Sequence, residues 1–123
     1  MIGYTSVGTQ DLERAAAFYD ALFEEVGGSR MMVDESFIVW SNEGEGGAFM
    51  VTYPFDKDSA TVGNGVMVAI QATSPEQVQR IYEKALELGA SDEGAPGDRG
   101  DNFYAAYFRD LDGNKLNAFA FVP

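Results

Sequence analysis

Apolar and polar residues alternate with two different periods along the first half of the chain. Residues 4–7 form a short β-rich stretch, and apolar residues then recur every three or four positions between 12 and 26, as in an amphipathic helix. Thr9 or Asp11 can cap this helix, and Gly27-Gly28 ends it. Further strands are predicted at 29–34, 36–40 and 48–53, with a glycine-rich, acidic turn at 42–47 before the last of them.

The same order of elements begins again after a connector at 54–65. A strand is predicted at 66–72, and Ser74 caps a second amphipathic helix that starts at Pro75 and ends at Gly89. Residues 90–100 contain three glycines and Pro96, which predicts a polar loop. Two strands, at 103–109 and 115–122, follow on either side of a tight turn at Asp112-Gly113.

The two halves align as an internal repeat. A shift of 63 residues places Tyr4 on Met67, and a shift of 67 residues places Met50 on Asn117. Because the order of the elements matches as well, we expect an α+β fold made of two tandem βαβββ modules. The 123 residues are expected to form one domain, with module one at about 1–53, the connector at about 54–65 and module two at about 66–123.

The charge of the chain argues against two classes of partner. Eight Lys and Arg residues stand against 20 Asp and Glu, which gives a formal net charge of −12. Such a surface repels the phosphates of nucleic acids and the anionic headgroups of membranes, so neither partner is expected. No apolar run approaches the roughly 20 residues that cross a bilayer, and the first residues lack the features of a signal peptide. We therefore expect a cytoplasmic protein.

Cysteine and histidine are both absent from the chain. The absence of cysteine excludes disulfides, thiolate nucleophiles and zinc–thiolate or iron–sulfur sites. The absence of histidine removes the usual transition-metal ligand and excludes Ser-His-Asp and Cys-His catalysis. Any acid–base chemistry would fall to Asp, Glu, Tyr, Lys or the terminal amine.

Two stretches resemble a known family. Residues 8–19, GTQDLERAAAFY, resemble the opening of vicinal-oxygen-chelate proteins, which include glyoxalases, bleomycin-resistance proteins and extradiol dioxygenases. Residues 107–116, YFRDLDGNKL, are similar to the penultimate strand and hairpin of that family. The resemblance covers nearly the whole chain. It implies two βαβββ modules that form a curved mixed sheet around a cleft, but one fold hosts many chemistries.

The resemblance also implies where metal ligands would stand. Family enzymes carry them on the first and last strand of each module, and the matching positions here are Tyr4, Met50, Met67 and Asn117. The usual ligands at these positions are His, Gln or Glu. A phenol, two thioethers and an amide do not suit a hard or borderline divalent ion. We therefore expect no metal and no cofactor.

A ligand-binding cleft is the functional hypothesis for these positions. The period-two alternation of strands adds Thr52, Ala69 and Phe119 to the face that carries Tyr4, Met50, Met67 and Asn117. Trp40 could stack on a ligand or pack half-buried. Arg99, on the polar loop, is a candidate contact for an anion. The alternative is that these side chains simply pack as core.

Three functions remain open. The first is metal-independent binding of a small molecule, aromatic or cationic, since the acidic chain would steer a cation. The second is a lyase or isomerase-type enzyme with Tyr4 as general acid and Asp34, Glu35 or Asp101 as base. The third is an interaction domain whose cleft is filled by Met50, Met67 and Phe119.

Two further expectations concern the C-terminal strands. Their aromatic residues are numerous enough to serve an interface, so a homodimer is expected, as in the family. Residues 110–114, DLDGN, look like the start of a calcium loop, but Lys115 and Phe121 occupy the positions where such a loop needs Gly and Glu. A hairpin turn at Asp112-Gly113 is the favoured interpretation.

Overall fold

The computed structural model describes residues 1–123, which divide into two compact units, module one at Met1–Val62 and module two at Gly63–Pro123. Module one contains β1 (Tyr4–Gly8), α1 (Leu12–Glu24), β2 (Ser29–Val33), β3 (Phe37–Asn42) and β4 (Glu45–Thr52). Module two contains β5 (Val68–Gln71), α2 (Pro75–Glu87), β6 (Ser91–Asp98), β7 (Phe103–Arg109) and β8 (Lys115–Phe121). The predicted βαβββ order is confirmed in both.

Each module folds its four strands into one mixed sheet. The strand order is β1-β4-β3-β2 in module one and β5-β8-β7-β6 in module two. The first strand of each module runs parallel to the last, and the other pairs are antiparallel. The repeat inferred from the sequence is therefore a repeat of topology. It places the first and last strands of a module side by side.

Helix α1 is positioned by its cap and by an aromatic core. The side chain of Asp11 accepts a hydrogen bond from the Arg14 backbone N–H at 3.1 Å, which satisfies one of the unpaired donors of the first turn. Four aromatic rings then join the helix to the sheet. Tyr19 and Phe23 pack on Trp40 and Phe49, with ring centroids 4.8–6.0 Å apart.

Helix α2 begins as the sequence predicts. Ser74 caps it by accepting from the Gln77 backbone N–H at 3.2 Å, and Pro75 takes the first turn, where its missing N–H costs nothing. Its buried stripe, Val78, Ile81 and Ala85, is at most 1% exposed and packs on β7 and β8. Neither α1 nor α2 has the length and apolar character needed to cross a bilayer.

One predicted loop is wrong. Within the stretch predicted as a loop at 90–100, residues Ser91–Asp98 form β6, which pairs antiparallel with β7. The pairing shifts register between Asp92 and Gly94 and again between Gly94 and Gly97. Pro96 is compatible with this strand because β6 lies at the edge of the sheet, where one side needs no ladder donors. The glycine-rich turn of module one is also narrower than predicted, since β3 and β4 extend to Asn42 and from Glu45.

Candidate functional site

Each sheet has one face covered by its helix and one helix-free face. In module one the register places Tyr4 opposite Ala48 and Ser6 opposite Met50, and Thr52 follows Met50 by two residues. These side chains lie on the face opposite to Phe49 and Trp40, which contact α1. The helix-free face of module one thus carries Tyr4, Met50 and Thr52, as alternation predicts. Tyr4 is 66% exposed at the edge strand.

Trp40 does not join this group. It pairs with Phe49, so its side chain points to the helix side of the sheet, where it is 2% exposed and packs on Tyr19 and Phe23. Its indole N–H donates to the Asp20 carboxylate at 2.9 Å. Of the two roles considered for Trp40, the structure shows packing.

On the helix-free face of module two, a row of side chains changes from charged at one end to aromatic at the other. Strand β8 contributes Lys115, Asn117, Phe119 and Phe121 at every second position, and the register places Ala69 and Tyr107 on either side of Asn117. Phe103 stacks on Phe119 with a centroid distance of 5.5 Å. The row runs from a cation through an amide to an aromatic cluster. Ala69, Asn117 and Phe119 are therefore brought together, whereas Met67 precedes the first residue of β5.

Asn117 is the most deeply buried of the predicted site residues. Its side chain is 1% exposed, and Nδ2 lies 3.4 Å from the Ala106 carbonyl oxygen and 3.3 Å from that of Ala118. Nδ2 donates both of these long hydrogen bonds, and Oδ1 accepts none within the chain. No fully buried side-chain oxygen of the chain lacks a hydrogen-bond partner, so Oδ1 reaches the surface of the sheet, where a ligand can donate to it.

Arg99 is held against the sheet instead of lying in a free loop. Its guanidinium donates to the Ala95 carbonyl at 2.7 Å and lies 5.5 Å from the centroid of the Tyr107 ring. Two glycines of β6 make room for it. A Cβ added at Gly97 would stand 2.8 Å from one guanidinium nitrogen, and one at Gly94 would stand 3.4 Å from the other.

Two contributors to this face, Tyr107 and Lys115, were missed from the sequence. The ammonium of Lys115 lies 5.5 Å from the centroid of the Tyr107 ring. The signal was available, because Lys115 precedes Asn117 by two residues on the same strand. Arg109 forms an ion pair with Glu93 close by, and this hydrogen bond, aided by the field of Lys115, holds the pKa of Glu93 below its usual value.

Module one has a groove on its helix side with a volume of about 600 Å³. Carboxylates dominate its rim, but several have structural roles. Asp11 caps α1, and Asp34 accepts hydrogen bonds from the backbone and side chain of Ser36, which lower its pKa. Arg30 is paired with Asp20. Asp11, Asp34 and Arg30 are thus engaged by partners within module one.

The comparison with protein families settles the relationship of this chain. Residues 1–118 match the model of the glyoxalase/bleomycin resistance protein/dioxygenase superfamily. The chain belongs to this superfamily. A search of curated proteins finds no match.

Solved structures agree with the superfamily assignment. A glyoxalase/bleomycin resistance protein from Albidiferax ferrireducens is 35% identical with a TM-score of 0.91, and the alignment covers 100% of this chain and 99% of that one. A superfamily enzyme from Burkholderia phytofirmans is 18% identical with a TM-score of 0.80, covering 98% of both chains. The fosfomycin resistance protein FosX of Listeria monocytogenes is 18% identical with a TM-score of 0.75, covering 99% of this chain and 93% of that one. The last two show likeness of fold alone.

The side chains present do not fit the metal that the superfamily implies. Tyr4, Met50, Met67 and Asn117 stand at the ligand positions, and their donors are a phenol, two thioethers and an amide whose nitrogen already binds the backbone. No group of three or more acidic side chains is arranged to hold a metal ion elsewhere in the chain. No reaction step through a metal follows from these residues.

The acid–base pair considered for an enzyme is not assembled in module one. Tyr4 lies on β1, and Asp34 and Glu35 follow β2. These strands are the opposite edges of the sheet, three strand spacings apart, a separation of about 14 Å. A general acid and base must lie within hydrogen-bond reach of one substrate, so the geometry of module one gives no support to this pairing.

Proposed function

We propose that this superfamily member binds a small molecule on the helix-free face of module two without a divalent metal. The observation that carries the proposal is Asn117, an almost fully buried amide at a ligand position of the family, with Nδ2 bound to the backbone and Oδ1 left as an acceptor. Where a carboxylate at this position would hold a metal ion, the amide oxygen of Asn117 would instead accept a hydrogen bond from a donor group of the ligand. The neighbouring rings of Phe119 and Phe103 supply a flat apolar surface.

The chemistry of the row supports binding over catalysis. Asn117 and Phe119 offer contacts and no acid–base group, and the ionisable pair of the row, Lys115 and Tyr107, is engaged with each other as cation and ring. The related A. ferrireducens protein is described as a glyoxalase/bleomycin resistance protein, a description that includes a resistance function. We infer a binding function for this chain from its own residues.

The test is a ligand screen by thermal shift on untagged protein in EDTA, since a histidine tag would add metal ligands. We expect at least one compound with an N–H or O–H donor to raise the melting temperature. The variant N117A should abolish that shift, whereas N64A, at an exposed asparagine, should retain it. Shifts that appear only after Mn²⁺, Ni²⁺ or Zn²⁺ is added would contradict the proposal.

The assembly and the location of the protein stay predictions from the sequence. Phe121 is 67% exposed on the aromatic end of the row, which supports an interface and hence a homodimer. Light scattering at micromolar concentration tests this, and a monomer mass would exclude it. The cytoplasmic location rests on the sequence alone, and fractionation of cells that express the protein tests it.

A further inference from the structure

Two cations converge on one aromatic ring in a chain that is otherwise strongly acidic. The guanidinium carbon of Arg99 and the ammonium of Lys115 each lie 5.5 Å from the centroid of Tyr107, so they are no more than about 11 Å apart. Neither forms an ion pair with a carboxylate. With 20 acidic residues against eight basic ones, two cations that share one ring and form no ion pair are unexpected on a surface that only serves solubility.

Residues of β6 hold the side chain of Arg99 in place. Gly94 and Gly97 have no side chains where the guanidinium lies, and the Ala95 carbonyl binds one of its nitrogens at 2.7 Å. A single bond to a carbonyl leaves the other donors of the guanidinium available. Because the side chain is held before a ligand arrives, less entropy is lost when it binds an anion.

Three basic residues gather at this end of the row: Arg99, Lys115 and Arg109. Of the carboxylates on β6 near them, Glu93 is engaged by Arg109, and Asp92 accepts a hydrogen bond from the hydroxyl of Tyr82. Nearby charges act more strongly on a bound group than distant ones, which salt screens beyond about 8–10 Å. The two cations beside Tyr107 therefore favour an anion at close range, although the net charge favours cations at long range.

We propose that the ligand bound on the helix-free face of module two is a small organic anion with a flat apolar body. Its anionic group lies beside Tyr107 between Arg99 and Lys115, and its body extends past Asn117 onto Phe119 and Phe103. Strand β8 sets the scale, since Lys115 and Phe119 are four residues apart, or about 13 Å. This inference rests on the proposed binding function and names the ligand class for the same face.

Three matched probes test the charge of the ligand, each with a hydroxyl at position 6 that can donate to Oδ1 of Asn117: 2-naphthoate, its neutral isostere 2-naphthamide, and 2-naphthylmethylammonium, named here without the shared hydroxyl. Titrations by NMR or calorimetry in EDTA should show 2-naphthoate binding about tenfold more tightly than 2-naphthamide at low ionic strength, as expected for one charge-assisted contact. The advantage should shrink in 0.5 M salt. The ammonium probe should bind most weakly.

Three variants test the residues. R99Q and K115Q should each weaken 2-naphthoate binding about five- to tenfold and leave 2-naphthamide unchanged. G97A keeps every charge but displaces the guanidinium, so it should weaken 2-naphthoate in the same direction. The control K57Q removes an exposed cation from module one and should have no effect.

Each outcome decides for or against the anion. Equal or tighter binding of the amide or the ammonium probe, with sensitivity to N117A, overturns the anion inference and leaves the proposed function standing. A uniform loss for R99Q, K115Q and K57Q also overturns it, since general charge would then explain the effect. If none of the three probes binds at millimolar concentration, the inference fails, and the proposed function is judged by the wider ligand screen.

Discussion

The indole Nε1 of Trp40 donates a hydrogen bond to Oδ1 of Asp20 at 2.9 Å, across the interface between α1 and the sheet of module one. The same carboxylate accepts two hydrogen bonds from Arg30, at 2.9 and 2.7 Å. Asp20 thus joins a buried ring on β3 to an edge strand, β2. This contact fixes the orientation of the only tryptophan in the chain, whose fluorescence therefore reports on the core of module one.

Substitutions of Asp20 should distinguish how much its contacts with Trp40 and with Arg30 each contribute to stability. D20A leaves the indole N–H of Trp40 without an acceptor and should lower the free energy of unfolding by about 1–2 kcal/mol. D20N retains an acceptor oxygen and loses only the half-exposed ion pair, so about 0.5 kcal/mol is expected. Urea unfolding followed by Trp40 fluorescence measures both. Equal losses would show that the ion pair, and not the indole contact, stabilises this interface.

The same substitutions should change the acid sensitivity of the fold. Hydrogen bonds from Arg30, and secondarily from Trp40, lower the pKa of Asp20 against the opposing effect of burial. A lowered pKa stabilises the fold above the unfolded value of about 3.9, and this contribution is lost as the pH falls through the folded value. D20N should therefore flatten the dependence of unfolding on pH below about 4. E83Q, at an exposed carboxylate, should not.

Asp110 should be the residue on which the last hairpin depends. Its carboxylate accepts from the backbone N–H groups of Asp112 and Asn114, both at 2.9 Å, and from the Asn114 amide at 3.0 Å. D110A should cost about 2–3 kcal/mol by chemical denaturation, because three donors lose their acceptor in a partly buried turn. D101N, at an exposed turn, should cost under about 0.5 kcal/mol. Added Ca²⁺ should not raise the melting temperature, and a rise would revive the calcium-loop interpretation.

The two faces of the module-two sheet should differ in their tolerance to truncation. Phe108 is fully buried on the α2 side, whereas Phe121 is 67% exposed on the helix-free side. F108A should lower the free energy of unfolding by about 3–5 kcal/mol through lost burial and a cavity. F121A should cost less than about 1 kcal/mol. Similar losses for the two would mean that the helix-free face is packed as core.

Glu93 should oppose an anion bound beside Tyr107. It pairs with Arg109, and the positive charge of Lys115 also acts on its carboxylate. E93Q removes this negative charge, so it should tighten 2-naphthoate about two- to threefold at low ionic strength and leave 2-naphthamide unchanged. The gain should vanish in high salt. Weaker binding of 2-naphthoate by E93Q would mean that Glu93 acts by positioning Arg109.

Much of the fold could be predicted from local signals. The caps at Asp11 and Ser74, the proline at the start of α2 and the turn at Asp112-Gly113 act through neighbouring residues, so a short stretch of sequence specifies them. The repeat was visible because both modules repeat the same order of elements. The alternation along β8 likewise placed Asn117 and Phe119 on one face.

The positions that sequence analysis missed depend on partners far along the chain. Residues 91–98 have the composition of a loop, yet they form β6, because the hydrogen bonds of β7 outweigh a local preference that is weak in strands. The orientation of Trp40 follows from its register with Phe49, which no local pattern fixes.

The sequence by itself determined the modules, their helices, the superfamily and the absence of histidine and cysteine, because these depend on composition and on residues close together in the chain. Only the tertiary structure decided that Arg99 lies over Gly94 and Gly97 beside Tyr107, with Lys115 reaching the same ring. The physical reason is that the contacts of a charged side chain depend on which residues lie near it in space. Pairing of β6, β7 and β8 brings together residues that are distant in the sequence.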